Sequence, residues 1–240
     1  MKIDPVGRCT LAIATAVFLL MSPRSQAAEN PAPTAPRSAP SIVPRPEPLK
    51  PRPFTLEDRY LDAARRGDLD TLKVCLEKGV KSDAKDGFAR SALLLAARDA
   101  RDLEMFKFLQ ARGLPIDDPD VRGITALGYA AGNGQLEMVS YLIEQGAAVD
   151  RKDADQQTSL FHAVLGGSKE TVERLIAAGA DVNVQDRFGD TPLIGACNKG
   201  FDPIARLLVA KGADPSLKDQ EGRTARQRAA EGATFCRELP

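Results

Sequence analysis

Apolar residues recur along most of this chain at the spacing of short amphipathic helices. Ile204, Leu207 and Leu208 form the apolar stripe of one such helix. An earlier helix begins at Thr191, with the threonine as its N-cap and a proline at its first position, and it ends before Gly200. The pattern therefore predicts pairs of short helices separated by polar turns.

The helix pair recurs with a period of 33 or 34 residues. Successive aspartates lie 34, 33, 33 and 33 residues apart, each is followed by a hydroxyl residue five positions later, and a series of glycines keeps the same period. The three series are Asp86, Asp120, Asp153, Asp186 and Asp219; Ser91, Thr125, Thr158, Thr191 and Thr224; and Gly79, Gly113, Gly146, Gly179 and Gly212. Because the series agree, we expect thin helical layers that bury one another's apolar faces.

The repeating unit resembles the ankyrin repeat. The resemblance is carried by residues 123–127 (GITAL), residues 189–193 (GDTPL) and the helix-to-hairpin joint at residues 179–183 (GADVN). It covers about residues 54–240 and implies an all-α fold, an ankyrin-repeat solenoid of about six units that include two atypical caps. The tetratricopeptide repeat has a similar period but lacks the G-x-T-x-L opening, so we exclude it. The expected units span about residues 54–85, 86–119, 120–152, 153–185, 186–218 and 219–240.

Two units depart from the pattern in ways that predict local structure. The second unit has one extra residue between Arg98 and Asp102, where other units place a glycine, and this predicts a distorted turn between its helices. The last unit has Arg226 where its neighbours have leucine. We expect a polar helix from Arg226 to Glu231 that covers the last apolar layer as a lid.

The first residues have the composition of a targeting segment. Lys2 and Arg8 supply positive charge before an uncharged apolar run, Cys9–Met21. Small residues follow at Ser25–Ala27. This predicts a signal peptide at residues 1–27, cleaved after Ala27. A retained anchor is the alternative, although the run is shorter than the roughly 20 residues that a bilayer span needs. Residues 28–53 are rich in proline, which predicts a disordered spacer.

Composition and charge narrow the class of partner. The 33 basic residues equal the 33 acidic ones, so nothing indicates nucleic-acid binding.

Export and the resemblance together suggest the periplasm of a Gram-negative bacterium, with no stable membrane insertion after cleavage. There the three remaining cysteines allow at most one internal disulfide. Cys75 occupies a leucine slot and should be buried, whereas a Cys197–Cys236 bridge is conceivable if the two Cα atoms lie within about 7 Å.

The sequence contains no recognisable catalytic, cofactor-binding or metal-binding constellation. His162 is the only histidine, it lacks a thiol or carboxylate at helical spacing, and we expect it to share a hydrogen bond between layers. Gly132-Asn133-Gly134 has no preceding strand and predicts a turn between helices, not a phosphate loop. The repeated aspartates lie about one layer apart, so we expect them to form turns by hydrogen bonding to their own backbone. We therefore expect a protein that is not an enzyme and that needs no cofactor.

The resemblance implies a concave binding surface formed by the hairpin tips and the first helices. Phe88 and Phe188 hold the same tip position in two units, and aromatic and arginine side chains dominate binding energy at interfaces. The tips also supply Val121, Arg122 and Arg187. The adjacent row, one residue before each hydroxyl, supplies Arg90, Ile124, Gln157, Asp190 and Arg223.

These features favour an exported protein-binding scaffold, most simply a monomer, whose partner is another protein. Resemblance to exported bacterial ankyrin proteins implies support of envelope or stress-response enzymes. The alternative is an immunity or inhibitor protein that blocks a toxin or enzyme in the same compartment. A third class, an effector secreted into a host, requires export beyond the periplasm.

Overall fold

The computed structural model describes residues 53–240. The predicted signal peptide, and all of the predicted spacer except Pro53, lie outside the described residues. Within the described range the chain forms helices and a single isolated bridge between Lys85 and Ser91, with no strand. The predicted all-α fold of tandem helix pairs is confirmed.

Five helix pairs and one short final helix make up the described chain. The pairs are α1 (Leu56–Arg66) with α2 (Leu69–Glu77); α3 (Ala92–Leu95), continued by a π-helical turn (Ala96–Ala100), with α4 (Leu103–Gln110); α5 (Ala126–Gly132) with α6 (Leu136–Glu144); α7 (Ser159–Gly166) with α8 (Lys169–Ala177); and α9 (Pro192–Lys199) with α10 (Asp202–Ala210). The last helix is α11 (Thr234–Arg237). Successive first helices pack on one another from α1 through α9, and α11 packs on α10.

The hydroxyl residues begin the first helices, as their positions in the sequence predict. The side chains of Ser91, Thr125 and Thr191 accept hydrogen bonds from the backbone N–H three residues later. Each therefore satisfies an amide that the helix itself leaves without a partner. Thr158 has the same extended backbone at the start of α7, but its side chain forms no such bond.

Two buried slots recur in the units, one filled by a small side chain and one by leucine. Cys197 and the alanines in the same slot of other units are fully buried between helices. Leucines occupy a second buried slot, at Leu109, Leu142, Leu175 and Leu208, and Cys75 takes that slot in the first unit. Cys75 is buried and free, as expected. Because small residues separate neighbouring first helices, the layers approach closely.

The extra residue of the second unit is accommodated by the π-helical turn at Ala96–Ala100, followed by Arg101 in the left-handed region with φ 55°. The predicted distortion is therefore confirmed. Side chains of the next unit satisfy the carbonyl groups of this turn. Asn133 Nδ2 donates to the Arg98 carbonyl at 3.0 Å, and Gln135 Nε2 donates to the Ala97 carbonyl at 2.9 Å.

The prediction of a polar helix from Arg226 to Glu231 is wrong. Residues 225–228 form only a turn, and the backbone N–H of Ala230 donates to the Cys197 carbonyl at 3.0 Å, which draws the chain back to α9. The helix of this unit lies later, at α11. A disulfide joins Cys236 of α11 to Cys197 of α9, with their Cα atoms 5.5 Å apart.

Candidate protein-binding surface

Each of the five repeated aspartates builds its own hairpin. One carboxylate oxygen, Oδ1, accepts the backbone N–H groups two and four residues later, at 2.8–3.1 Å. Asp186, for example, accepts from Phe188 and Asp190. The prediction that these aspartates form turns is confirmed. The two residues that directly follow each aspartate are thereby held at the tip of the hairpin.

The five hairpin tips are joined to one another by backbone hydrogen bonds. In each case an N–H of one tip donates to a carbonyl of the preceding tip, at 2.8–3.0 Å. The four bonds are Val121 to Phe88, Ala154 to Arg122, Arg187 to Asp155 and Gln220 to Phe188. A continuous row of bonds therefore sets the spacing of the tip side chains.

The second aspartate oxygen, Oδ2, accepts from a side chain that differs between units. The residue nine positions later supplies the partner in three units: Tyr129 Oη lies 2.6 Å from Asp120, His162 Nε2 lies 2.9 Å from Asp153, and Arg228 Nη1 lies 3.0 Å from Asp219. The histidine therefore bonds within its own unit, and the predicted bond between layers is wrong. Burial and the hydrogen bond to Asp120 raise the pKa of Tyr129.

Two units have no polar side chain nine residues after the aspartate, because Leu95 and Gly195 occupy that slot. In one, Arg90 Nε donates to Asp86 at 2.8 Å. In the other, Gln157 Nε2 of the preceding unit donates to Asp186 at 3.1 Å. Every buried aspartate of the series thus has side-chain and backbone donors, which offset the loss of hydration.

The outermost side chains of the hairpins form what we call the tip surface, defined as Phe88, Val121, Arg122, Asp155, Arg187 and Phe188. Phe88, Val121 and Phe188 are 59%, 61% and 51% exposed. The Arg187 guanidinium stacks 4.6 Å from the Phe188 ring centroid and lies 2.8 Å from Asp155 Oδ1. Arg122 approaches the other oxygen of Asp155 at 3.6 Å, so two arginines share one carboxylate.

The row beside the tips differs from the sequence expectation because its side chains point inward. Ile124 is buried, with 5% exposure, and is not part of the exposed surface. Arg90 is only 12% exposed at its side chain because it pairs with Asp86 at 2.6 Å, although its guanidinium also stacks 4.7 Å from the Phe88 ring. Gln157 and Arg223 are half-buried and bond to Asp186 and Asp219 respectively.

Asp190 is the member of that row with the least complete set of partners. Its Oδ2 lies 3.4 Å from Arg228 Nη2, while its Oδ1 is buried and has no hydrogen-bond partner in the described part of the chain. Burial raises the pKa of this carboxyl, and the nearby Arg228 only partly opposes the rise.

Comparison with known families agrees with the hairpin geometry. A sequence model described as ankyrin repeats (3 copies) matches residues 61–153, 93–186 and 160–239 of the chain. The chain belongs to the ankyrin repeat family. Ankyrin repeats generally mediate protein–protein interaction and are generally non-enzymatic. No curated protein matches the chain significantly.

This ankyrin-repeat chain has a depression next to the tips that sequence reasoning missed. It has a volume of about 280 Å³, and Tyr129, His162 and the partly exposed Leu165 are among the residues that line it. Gly128 and Gly132 also line it, and they leave room beside His162. One sequence signal was available, because a glycine at position 128, inside a predicted first helix, indicates a missing side chain on one face.

A second depression, of about 260 Å³, lies between the last two units. Phe188, Asp190, Asp219 and Arg228 are among its lining residues. Among the described residues, His, Cys, Asp and Glu side chains do not gather in a group that could hold a metal ion. None of the helices in the described range has the length and apolar character that crossing a membrane requires.

Proposed function

We propose that this ankyrin-repeat chain is an exported, non-enzymatic scaffold that captures another protein through its tip surface. The observation that carries the proposal is the exposure of Phe88, Val121 and Phe188 on hairpins that are locked into a row. An aromatic side chain exposed to water at a rigid tip contributes little to folding, whereas its burial by a partner removes apolar area from water.

The arginines of the tip surface add directional contacts. Within residues 53–240, Arg122 and Arg187 form ion pairs only with Asp155, so their remaining N–H donors can bind carbonyl or carboxylate groups of a partner. Arginine and aromatic residues together are the types most enriched among residues that dominate binding energy. The row of backbone bonds reduces the loss of conformational freedom on binding, because the tips are already ordered.

Two observations support export to the periplasm as the setting. Residues 1–27 have the charge, apolar run and small residues of a signal peptide. The Cys197–Cys236 disulfide is the kind of bond that persists in an oxidising compartment and is rare in the cytosol. We expect a monomer there, acting in support of envelope or stress-response enzymes.

The proposal is tested by capture with variants of the tip surface. The immobilised chain is exposed to the periplasmic extract of its own bacterium, and captured proteins are quantified for wild type, Phe188→Ala and Arg187→Ala. We expect each variant to lower capture about tenfold, equivalent to about 1.4 kcal/mol, without changing the melting temperature.

Phe54→Ala is the matched control, because Phe54 is also a highly exposed phenylalanine but lies outside the tip surface. It should leave capture unchanged. Equal capture by wild type and both tip variants would overturn the proposal, as would a chain found only in the cytosol on fractionation. A single stoichiometric partner whose activity falls on binding would replace the scaffold by an inhibitor.

A further inference from the structure

Residues 222–240, which we call the cap segment, bury few large apolar side chains against the rest of the stack. Their buried residues are Ala225, Ala233, Cys236 and Leu239, of which only the last is a large aliphatic side chain. The preceding unit, by contrast, buries Leu193, Ile194, Ile204 and Leu208. The only helix in the cap segment, α11, has four residues and is too short to persist without tertiary contacts.

The attachments of the cap segment to the preceding unit gather around the disulfide. Cys236 is bonded to Cys197 of α9, whose carbonyl also accepts the N–H of Ala230 at 3.0 Å. Asp202 of α10 accepts the Thr234 hydroxyl at 2.8 Å and the Phe235 N–H at 3.0 Å. The covalent bond therefore positions the groups that form the hydrogen bonds.

The cap segment also supplies two side chains, Arg223 and Arg228, to the second depression. Arg228 lies 3.0 Å from Asp219 Oδ2 and 3.4 Å from Asp190 Oδ2. Three carboxylates, those of Asp190, Asp219 and Glu221, line this depression with Arg223 and Arg228. Removal of Arg228 would leave one guanidinium against three carboxylates, beside the exposed Phe188.

We propose that the Cys197–Cys236 disulfide is a redox latch that holds the cap segment and, through it, Arg228 in the second depression, beside Phe188 of the tip surface. A dithiol reductant opens the latch: its thiolate attacks one sulfur, its second thiol closes a disulfide within the reductant, and the two cysteines each leave with a proton as thiols. Two electrons thus pass from the dithiol to the cystine. The release of the cap segment stands independently, whereas its effect on capture rests on the proposed function.

Because the disulfide is buried, a reductant alone does not open the latch. The cap segment must first move. Both cysteines of the bridge are 0% exposed. Attack on the disulfide therefore requires that the cap segment first moves away from α9. Once reduced, the segment keeps its few hydrogen bonds, the ion pairs of Arg223 and Arg228 and one large buried side chain, Leu239, and we expect it to open far more often than the oxidised segment.

Hydrogen exchange of the purified chain tests the release directly. Exchange is measured by mass spectrometry on the oxidised chain and after reduction with dithiothreitol. In the reduced chain, peptides that contain the amides of Ala230 and Phe235 should exchange at least about tenfold faster, while peptides from α5 to α8 keep their rates. Cys197→Ala, which places the alanine of neighbouring units in this slot, should reproduce the effect without reductant.

Cys75→Ala is the matched control, because it removes the buried thiol that is not part of the bridge. This variant should keep the full difference between oxidised and reduced states. Unchanged exchange at Ala230 and Phe235 after reduction would overturn the latch. So would equal acceleration across α5 to α8, because that result would mean that the whole stack unfolds.

Capture from the periplasmic extract tests the effect on the surface. The oxidised chain, the reduced chain and oxidised Arg228→Ala are compared. We expect capture by the reduced chain and by oxidised Arg228→Ala to differ at least about threefold from capture by the oxidised chain. Both differences should have the same direction. Equal capture by all three would overturn the link to binding and leave the scaffold intact, whereas a failure of all tip variants to alter capture would overturn the scaffold itself.

Discussion

Each repeated aspartate uses its two carboxylate oxygens for different purposes. Oδ1 closes the hairpin in every unit, and its partners are backbone amides, so its role follows from sequence spacing alone. Oδ2 binds whichever side chain the unit supplies, such as Tyr129, His162 or Gln157. Sequence spacing could not show this second set of bonds, because the partner comes from different positions and, for Asp186, from a different unit.

The turn residue three positions after the aspartate provides a test at the residue scale. Gly189 and Gly222 both have positive φ, 77° and 76°, but only Gly189 is overlaid by the next hairpin. A Cβ added at Gly189 would lie 2.9 Å from the backbone nitrogen of Gln220, whereas at Gly222 it would meet nothing within 4 Å. Gly222→Ala should cost about 1 kcal/mol through backbone strain, and Gly189→Ala about 1–3 kcal/mol more.

Urea unfolding of the two variants measures both costs. If both lose the same free energy of unfolding, the tips are not held as close together as the row of backbone bonds requires.

At the scale of helices and turns, most of the architecture could be predicted because it depends on local signals. Hydroxyl caps, glycine turns and one inserted residue correctly indicated where first helices begin and where the π-helical turn lies. The cap segment could not be predicted in the same way. Its chain path is set by the Ala230 bond to the Cys197 carbonyl and by the disulfide, and both join residues more than 30 positions apart.

The candidate surface was only partly predictable for a related reason. Exposed tips such as Phe88 and Phe188 follow from hairpin geometry, and their exposure is as expected. The orientation of Ile124 and Arg90 depends on which carboxylates and which residues of neighbouring helices lie within contact distance of each side chain. Ile124 is buried beside Gly128 and Arg90 pairs with the Asp86 carboxylate, so both side chains point inward.

The approach of α7 to α5 at a glycine gives a test at this scale. A Cβ at Gly166, the last residue of α7, would lie 2.2 Å from the carbonyl oxygen of Gly132 in α5. Gly166→Ala should therefore force the two layers apart and cost at least about 2 kcal/mol. Gly195→Ala is the matched control, since its nearest neighbour would lie 3.7 Å away and alanine favours a helix interior by up to about 1 kcal/mol.

Thermal and urea unfolding should place Gly166→Ala below wild type and Gly195→Ala at or slightly above it. A Gly166→Ala variant as stable as wild type would show that α5 and α7 do not pack at this distance.

For the whole stack, stability is a sum of layer contacts, and carboxyls whose pKa folding changes lie toward both ends of the stack, so acid should act from both ends. Asp86 and Asp202 represent two distant units. Although burial opposes the change, hydrogen bonds from Arg90 and Phe88 lower the pKa of Asp86, and bonds from Phe235 and Thr234 lower the pKa of Asp202. Asp190 is the exception, because burial raises its pKa.

A carboxyl whose pKa is lowered by folding binds its proton more readily in the unfolded chain. Its contribution to stability is therefore complete above the ordinary value of about 3.9 and is lost as the pH falls through the lower folded value. Asp190 acts in the opposite sense, since its folded form takes up a proton first. Because the lowered carboxyls outnumber it, the urea midpoint should be nearly constant from about pH 7 to pH 5 and fall below about pH 4.

Two single substitutions should change this acid profile in opposite directions. Asp86→Asn removes a carboxyl with a lowered pKa, so the loss of stability in acid should be shallower than in wild type. Asp190→Asn removes a carboxyl whose pKa is raised by folding, so the loss should be steeper. Urea midpoints of the three chains at pH 6, 5, 4 and 3, on a scale set by ordinary carboxyl pKa values, distinguish these outcomes. A wild-type midpoint that stays level or rises between pH 5 and pH 3 would mean that hydrogen bonds in the folded chain do not favour the charged form of carboxyls such as Asp86 and Asp202.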